Sequence, residues 1–168
     1  ISMSAPALPP PAKVREVAEL AEWARGWRRQ GRRVVWTNGC FEILHAGHIE
    51  FLLKAARLGD VFVVGVNSDD SVRALKGPGH PVATLAERLV VLDAVDCVDY
   101  LTVFEAPNCA EVLRTLQPDV YAKGLRHVQG DIDVEERAVI EAQGGCFALI
   151  AGDAAKSTSA ILERIRAG

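Results

Sequence analysis

His45 and His48 stand three residues apart around Gly47, within the stretch Thr37-Asn38-Gly39-Cys40-Phe41-Glu42-Ile43-Leu44-His45-Ala46-Gly47-His48. A β-branched run, Val34-Val35 followed by Trp36, precedes this stretch, and an amphipathic run over residues 49–58 follows it. That order reads as a strand, a glycine-containing loop and a helix start. A helix start carries unpaired N–H groups at the positive end of a dipole, so it attracts phosphate. Residues three apart on a first turn face one side. Two imidazoles placed there can donate to phosphoryl oxygens as negative charge builds up. Gly47 removes a Cβ where a ligand approaches. A lone histidine here would ordinarily be a cap or a surface group, but the pair in this context points to phosphate chemistry on a nucleotide. Cys40, His45 and His48 as metal ligands form a weaker reading, because no Cys-x-x-Cys or His-Glu-x-x-His spacing accompanies them.

Other groups fall where a nucleotide would need them. Lys123 and Gly124 follow an apolar run and precede Leu125, Arg126 and His127. The lysine offers a charge, the glycine a turn, and the planar Arg126 and His127 can stack on a base or grip a phosphate. Lys76-Gly77-Pro78-Gly79-His80-Pro81 has the makings of a closing loop with Lys76 as a point charge, and a plain surface loop is equally consistent with it. Arg88 lies on a Leu- and Val-rich helix. It either pairs with Glu87 or a nearby carboxylate, or binds an acceptor phosphate. Lys54 reads as a solvated lysine. Ser157, Thr158 and Ser159 open the last helical pattern and read as a cap or a second anion site. No Ser-His-Asp order, glycosidase carboxylate pair or Walker-type glycine loop stands out. Asp93, Asp96 and Asp99 read as capping or solvated groups.

The elements that must position these groups alternate. Helical patterns cover residues 14–30, 47–58, 68–75, 84–95, 108–116, 133–143 and 157–166, with Thr84 and Glu87 spaced as a capping box. Strand patterns cover residues 33–36, 61–66, 100–104, 119–122 and 146–150. Such alternation implies an α/β fold, a mainly parallel sheet with helices on both faces. Ligands of such sheets sit beyond the carboxyl ends of the strands. The 168 residues suit a single domain over residues 13–168, after a Pro-, Ala- and Ser-rich lead-in over residues 1–12 read as disordered. Apolar residues make up 49%, enough for a core, and a net charge of −3 provides no global field for nucleic acid. No apolar run suits a membrane span. Four scattered cysteines, Cys40, Cys97, Cys109 and Cys146, read as reduced thiols of a cytoplasmic protein. The helix over residues 14–30, with Trp23 and Trp27, is a candidate dimer interface.

With these residues in hand, the chain resembles the cytidylyltransferase-like nucleotidyltransferases. Within them it is most similar to the adenylyltransferase domains that make ADP-heptose from D-glycero-β-D-manno-heptose 1-phosphate. The resemblance runs from about Arg33 onward. It rests on Thr37-Asn38-Gly39-Cys40-Phe41, Ile43-Leu44-His45-Ala46-Gly47-His48, Val66-Asn67-Ser68-Asp69, Lys76-Gly77, Arg88 with Leu92-Asp93-Ala94-Val95, and Lys123-Gly124. It implies a Rossmann-like fold and in-line attack of an acceptor phosphate on the nucleotide α-phosphorus, with pyrophosphate leaving. His45, His48 and Lys76 would be catalytic. Asn38, Gly39, Cys40, Phe41, Gly47, Lys123, Gly124, Arg126, Ser157, Thr158 and Ser159 would bind the nucleotide. Glu42, Asn67, Asp69, His80 and Arg88 would face the acceptor. Mg²⁺ would arrive on the triphosphate rather than on protein ligands. A homodimer and an upstream sugar kinase are also implied. Six positions depart from the family pattern: Glu42 replaces Asp, His80 replaces Arg before Pro81, Leu125-Arg126-His127 replaces Gly-Asp-Tyr, and Ser159 replaces Thr. Glycerol 3-phosphate with CTP, or nucleotide binding without turnover, are the competing readings.

Overall fold

The computed structural model describes residues 10–125, 133–151, 161, 164 and 165. Five strands form one sheet: β1 (Val34–Gly39), β2 (Val61–Asn67), β3 (Tyr100–Phe104), β4 (Val120–Gly124) and β5 (Cys146–Ile150). Every pairing is parallel, in the order β3-β2-β1-β4-β5. Six helices accompany them among the described residues: α1 (Val17–Arg29), α2 (Ala46–Ala56), α3 (Asp69–Lys76), α4 (Leu85–Asp93), α5 (Ala110–Leu116) and α6 (Val134–Ala142).

Strand side chains alternate between two cores, as the period of a pleated strand demands. Val34 and Trp36 join Leu20 and Ala24 of α1, Leu113 and Leu116 of α5 and Ile140 of α6. Val35 turns the other way and joins Leu52 and Ala55 of α2 and Leu89 and Leu92 of α4. Burial on both faces explains why β2 reads as an unbroken apolar run. Gly65 lets two elements meet, since a Cβ there would lie 2.2 Å from the Trp36 ring. Aspartates tie the strand starts together: Asp119 accepts from Val34 N at 2.7 Å, and Asp99 accepts from Phe62 N at 2.7 Å.

Two boundaries differ from the sequence reading by three residues. Residues 14–16 are not helical, because Leu101 N donates to Lys13 O and Arg15 N to Leu101 O, which adds an edge bridge beside β3. Strand β1 continues through Asn38 and Gly39, whose register partners are Gly65 and Val66. On α2 the buried positions are Leu52 and Ala55, whereas Leu53 is exposed. Trp23 and Trp27 are half-buried and pack against Tyr100 at 5.3 and 5.6 Å between ring centres, so both rings have partners within the chain. No described helix is long and apolar enough to cross a membrane.

The strand order reverses between β1 and β4. From β1 the chain winds outward through β2 to β3, then crosses back by way of α5 to β4 on the other side of β1 and on to β5. Paired residues of β1 and β4 end at Trp36 and Tyr121, while β1 stays paired with β2 through Gly39. This is the switch point at which open α/β sheets bind ligands.

Candidate functional site

His45 is the residue that caps α2. Its extended backbone (φ −140°, ψ 170°) precedes the first helical turn, and its Nδ1 accepts from Gly47 N at 3.1 Å. A neutral imidazole accepting at Nδ1 carries its proton on Nε2, which makes that nitrogen a donor. The His48 ring lies 3.9 Å from that of His45, tilted by 34°, with Phe41 edge-on at 5.7 Å. Phe41 reaches this position with a left-handed backbone, φ 48°. Burial pushes the His48 pKa down to about 4, with help from His45 and Lys76. Burial also lowers that of His45. Both rings are therefore neutral in the free site. The buried His48 Nδ1 has no partner among the described residues.

Glu42 organises the opposite wall. Its side chain is 3% exposed and forms an ion pair with Lys76, the last residue of α3. Its other oxygen accepts from Val82 N at 3.0 Å and lies 2.7 Å from His80 Nδ1. An ionised carboxylate only accepts, so His80 Nδ1 is the donor. Burial raises the Glu42 pKa, but the bonds from Lys76, His80 and Val82 outweigh it and bring the group down to about 2. The loop from Lys76 to His80 is thus pinned to a residue of the histidine segment.

Arg88 is fully buried and donates to the Cys40 carbonyl at 2.7 Å and to Asp69 at 2.8 Å. Of the two readings open for it, pairing with a nearby carboxylate matches this geometry. Glu87 instead closes the capping box with Thr84. Arg88 joins the end of β1 to the first turn of α3. Asn67 is buried at the end of β2, where its Nδ2 donates to Ser71 Oγ at 2.9 Å. Cys40 is half-buried, and desolvation raises its pKa, so it is a thiol. Lys54 pairs with Glu50 on the exposed face of α2. Asp93 accepts from Lys13 N at 2.7 Å, so Asp93 and Asp99 each bind a backbone N–H of an extended segment rather than standing solvated.

Lys123 closes the β4 side. Its ammonium lies 4.7 Å above the Tyr121 ring and donates to Glu136 at 2.8 Å. Glu136, Tyr121 and Cys109 were not singled out by the sequence reading. A local signal existed: Glu136, Val139 and Ile140 share the buried face of α6 at helical spacing, so an acid lies within an apolar stripe. Gly39, Gly47 and Gly124 occupy the end of β1, the first turn of α2 and the end of β4. Arg126, Ser157, Thr158 and Ser159 lie outside the described residues.

Comparison with known proteins shows the family and the fold. The model of the cytidylyltransferase-like family matches residues 36–144. The chain belongs to that family of nucleotidyltransferases. Among curated relatives, it is 42% identical over 160 residues to Bifunctional protein HldE of Geotalea uraniireducens, a match covering 94% of this chain and 32% of that one. Bifunctional protein HldE of Geobacter sulfurreducens is 41% identical over 157 residues, covering 92% of this chain and 31% of that one. The chain spans about a third of the length of the curated relatives it matches. A lipopolysaccharide core biosynthesis protein from Thermoplasma volcanium superposes with a TM-score of 0.59 at 25% identity, covering 73% of this chain and 98% of that one. Pantoate-beta-alanine ligase from Francisella tularensis shares the fold, with a TM-score of 0.55 at 13% identity, covering 82% of this chain and 66% of that one.

Proposed function

We propose that this domain transfers AMP from ATP to a sugar 1-phosphate, D-glycero-β-D-manno-heptose 1-phosphate, and releases pyrophosphate. The observation that carries the reading is the closely spaced, neutral pair His45 and His48 at the start of α2, beside the β1–β4 switch point. A phosphate oxygen of the acceptor forms the new bond to the α-phosphorus. The bond to the bridging oxygen breaks, and pyrophosphate takes its electron pair. His45 Nε2–H donates to the phosphoryl oxygens as charge moves onto them, with His48 beside it. Lys76 adds positive charge from the end of α3. No covalent enzyme intermediate is needed, and the rate enhancement rests on positioning and electrostatics.

The acceptor follows from the resemblance to domains that make ADP-heptose and is supported by 42% identity to the bifunctional relative. Magnesium fits as a counter-ion carried by the triphosphate, where it neutralises phosphate charge. Glu42 and Asp69, two carboxylates of the site, already hold cationic or donor partners, Lys76 and His80 for Glu42 and Arg88 for Asp69. A sugar kinase acting upstream would supply the phosphorylated acceptor. The test is pyrophosphate release with ATP, CTP, GTP and UTP, each with heptose 1-phosphate and with glycerol 3-phosphate. Release with ATP and heptose 1-phosphate is expected. Release only with CTP and glycerol 3-phosphate would move the substrates and keep the chemistry. Nucleotide binding with no release would leave a non-catalytic module.

A further inference from the structure

A second group of polar side chains lies beneath the β1–β4 crevice. Glu136 is 3% exposed, yet it is ionised against a core of aliphatic and aromatic side chains that also holds Cys109. Four donors surround its carboxylate. Oε1 accepts from Cys109 N at 3.0 Å and from Cys109 Sγ at 3.2 Å. Oε2 accepts from Lys123 Nζ at 2.8 Å and lies 3.1 Å from the Tyr121 hydroxyl. That hydroxyl also meets Asn38 Oδ1, so its one proton is shared between the carboxylate and the amide. Burial raises the Glu136 pKa, but the Cys109 and Lys123 bonds outweigh it and the group stays below its ordinary value. The first turn of α6 holds it in place, with Asp133 accepting from the Glu135 and Glu136 backbone N–H groups.

We infer that Glu136 is a positioning residue for the nucleotide: its buried charge fixes Lys123 at the end of β4 and, through Tyr121, Asn38 at the end of β1. Packing alone does not call for a carboxylate. An apolar side chain would complete the stripe with Val139 and Ile140, and replacing buried ion pairs by apolar groups is often neutral or stabilising. The charge instead collects two groups from the two strands that flank the switch point. Lys123 is held between the Tyr121 ring and the carboxylate and is 15% exposed, so it meets an incoming phosphate with most of its rotamer freedom already spent. Tyr121 is itself fully buried, and its phenol pKa is raised by burial and by its acidic neighbours. It therefore remains a hydroxyl that can link the two sides. Nothing in this arrangement requires Glu136 to touch the ligand.

The inference rests on the reading that the nucleotide occupies this crevice. Its test is ATP affinity with Mg²⁺, measured by calorimetry on the full chain, for wild type, Glu136→Gln, Lys123→Met and the double variant. Each single variant is expected to weaken ATP about tenfold. The double variant is expected to be no more than about threefold weaker than the weaker single variant, because both remove one element. Glu136→Asp keeps the charge one methylene short, and it carries the test if Glu136→Gln fails to fold. It is expected to weaken ATP by about threefold while holding its melting temperature closer to wild type. An unchanged Kd in any folded single variant, or multiplicative weakening in the double, overturns the inference. So does a lowered melting temperature with wild-type affinity, which is the signature of a structural role alone. A wild type that binds ATP but releases no pyrophosphate would defeat the transfer reaction and leave this test decisive. A wild type that binds no ATP would defeat both.

Discussion

Glu42→Gln separates a charge-based account of the site from one based on shape. The substitution keeps the side-chain volume and removes the charge that Lys76 and His80 share. The carboxyl moves from an ordinary value of 4.5 to about 2 in the folded protein. At about 1.4 kcal/mol per unit, that shift corresponds to about 3 kcal/mol of stability at neutral pH. The figure is an upper one, because Lys76 is 41% exposed and His80 35% exposed, so water recovers part of their loss. The sign follows from the depressed value. The contribution is complete above the unfolded pKa of 4.5 and is lost as pH falls through the folded pKa of about 2.

Urea unfolding across that window measures the effect. At neutral pH the variant should be less stable by about 1–3 kcal/mol. The difference from wild type should shrink steadily as the pH is lowered from 4.5 towards about 2, because the wild-type carboxyl then takes up a proton. Other acids titrate in the same range, but they do so in both proteins and cancel in the difference. Parallel stability profiles would refute the argument, since they would mean that the Glu42 charge contributes nothing that its shape does not.

Two further substitutions test the scaffold behind the site. Gly65→Ala drives a methyl to within 2.2 Å of the buried Trp36 ring, so it should cost at least about 1–3 kcal/mol in thermal unfolding. Pairing it with Trp36→Leu should recover part of that loss, and a wild-type melting temperature in the single variant would contradict the packing. Arg88→Lys should lower both stability and turnover, because one ammonium cannot span the Cys40 carbonyl and Asp69 as the guanidinium does. Wild-type turnover in that variant would show that the join between β1 and α3 is dispensable.

The alternation of helix and strand was legible because each carries its own period. The apolar run of β2 and the capping box at Thr84 and Glu87 are local signals that tertiary packing left in place. Residues 14–16 carry a helical pattern but pair with Leu101, more than eighty residues away, which no local signal announces. The His45–His48 pair was legible from its spacing together with the strand and glycine loop before it, which place the pair at a helix start. The Glu42 ion pair was not, because Lys76 and His80 reach it from the far end of α3 and the loop beyond. Arg88 left two readings open until Asp69 and Cys40 were placed beside it. Glu136 carries a local signal, an acid on the same helix face as Val139 and Ile140, but its partners emerge only when the ends of β1 and β4 are set against α6.

The central claim is that His45 and His48 stabilise charge on the phosphates during transfer. Its most direct test is the rate of pyrophosphate release by His48→Ala at saturating nucleotide and acceptor, alongside wild type. Loss of one transition-state donor predicts a fall of about two to three orders of magnitude, with nucleotide affinity weakened far less. Turnover at the wild-type rate in a folded His48→Ala protein would contradict the account.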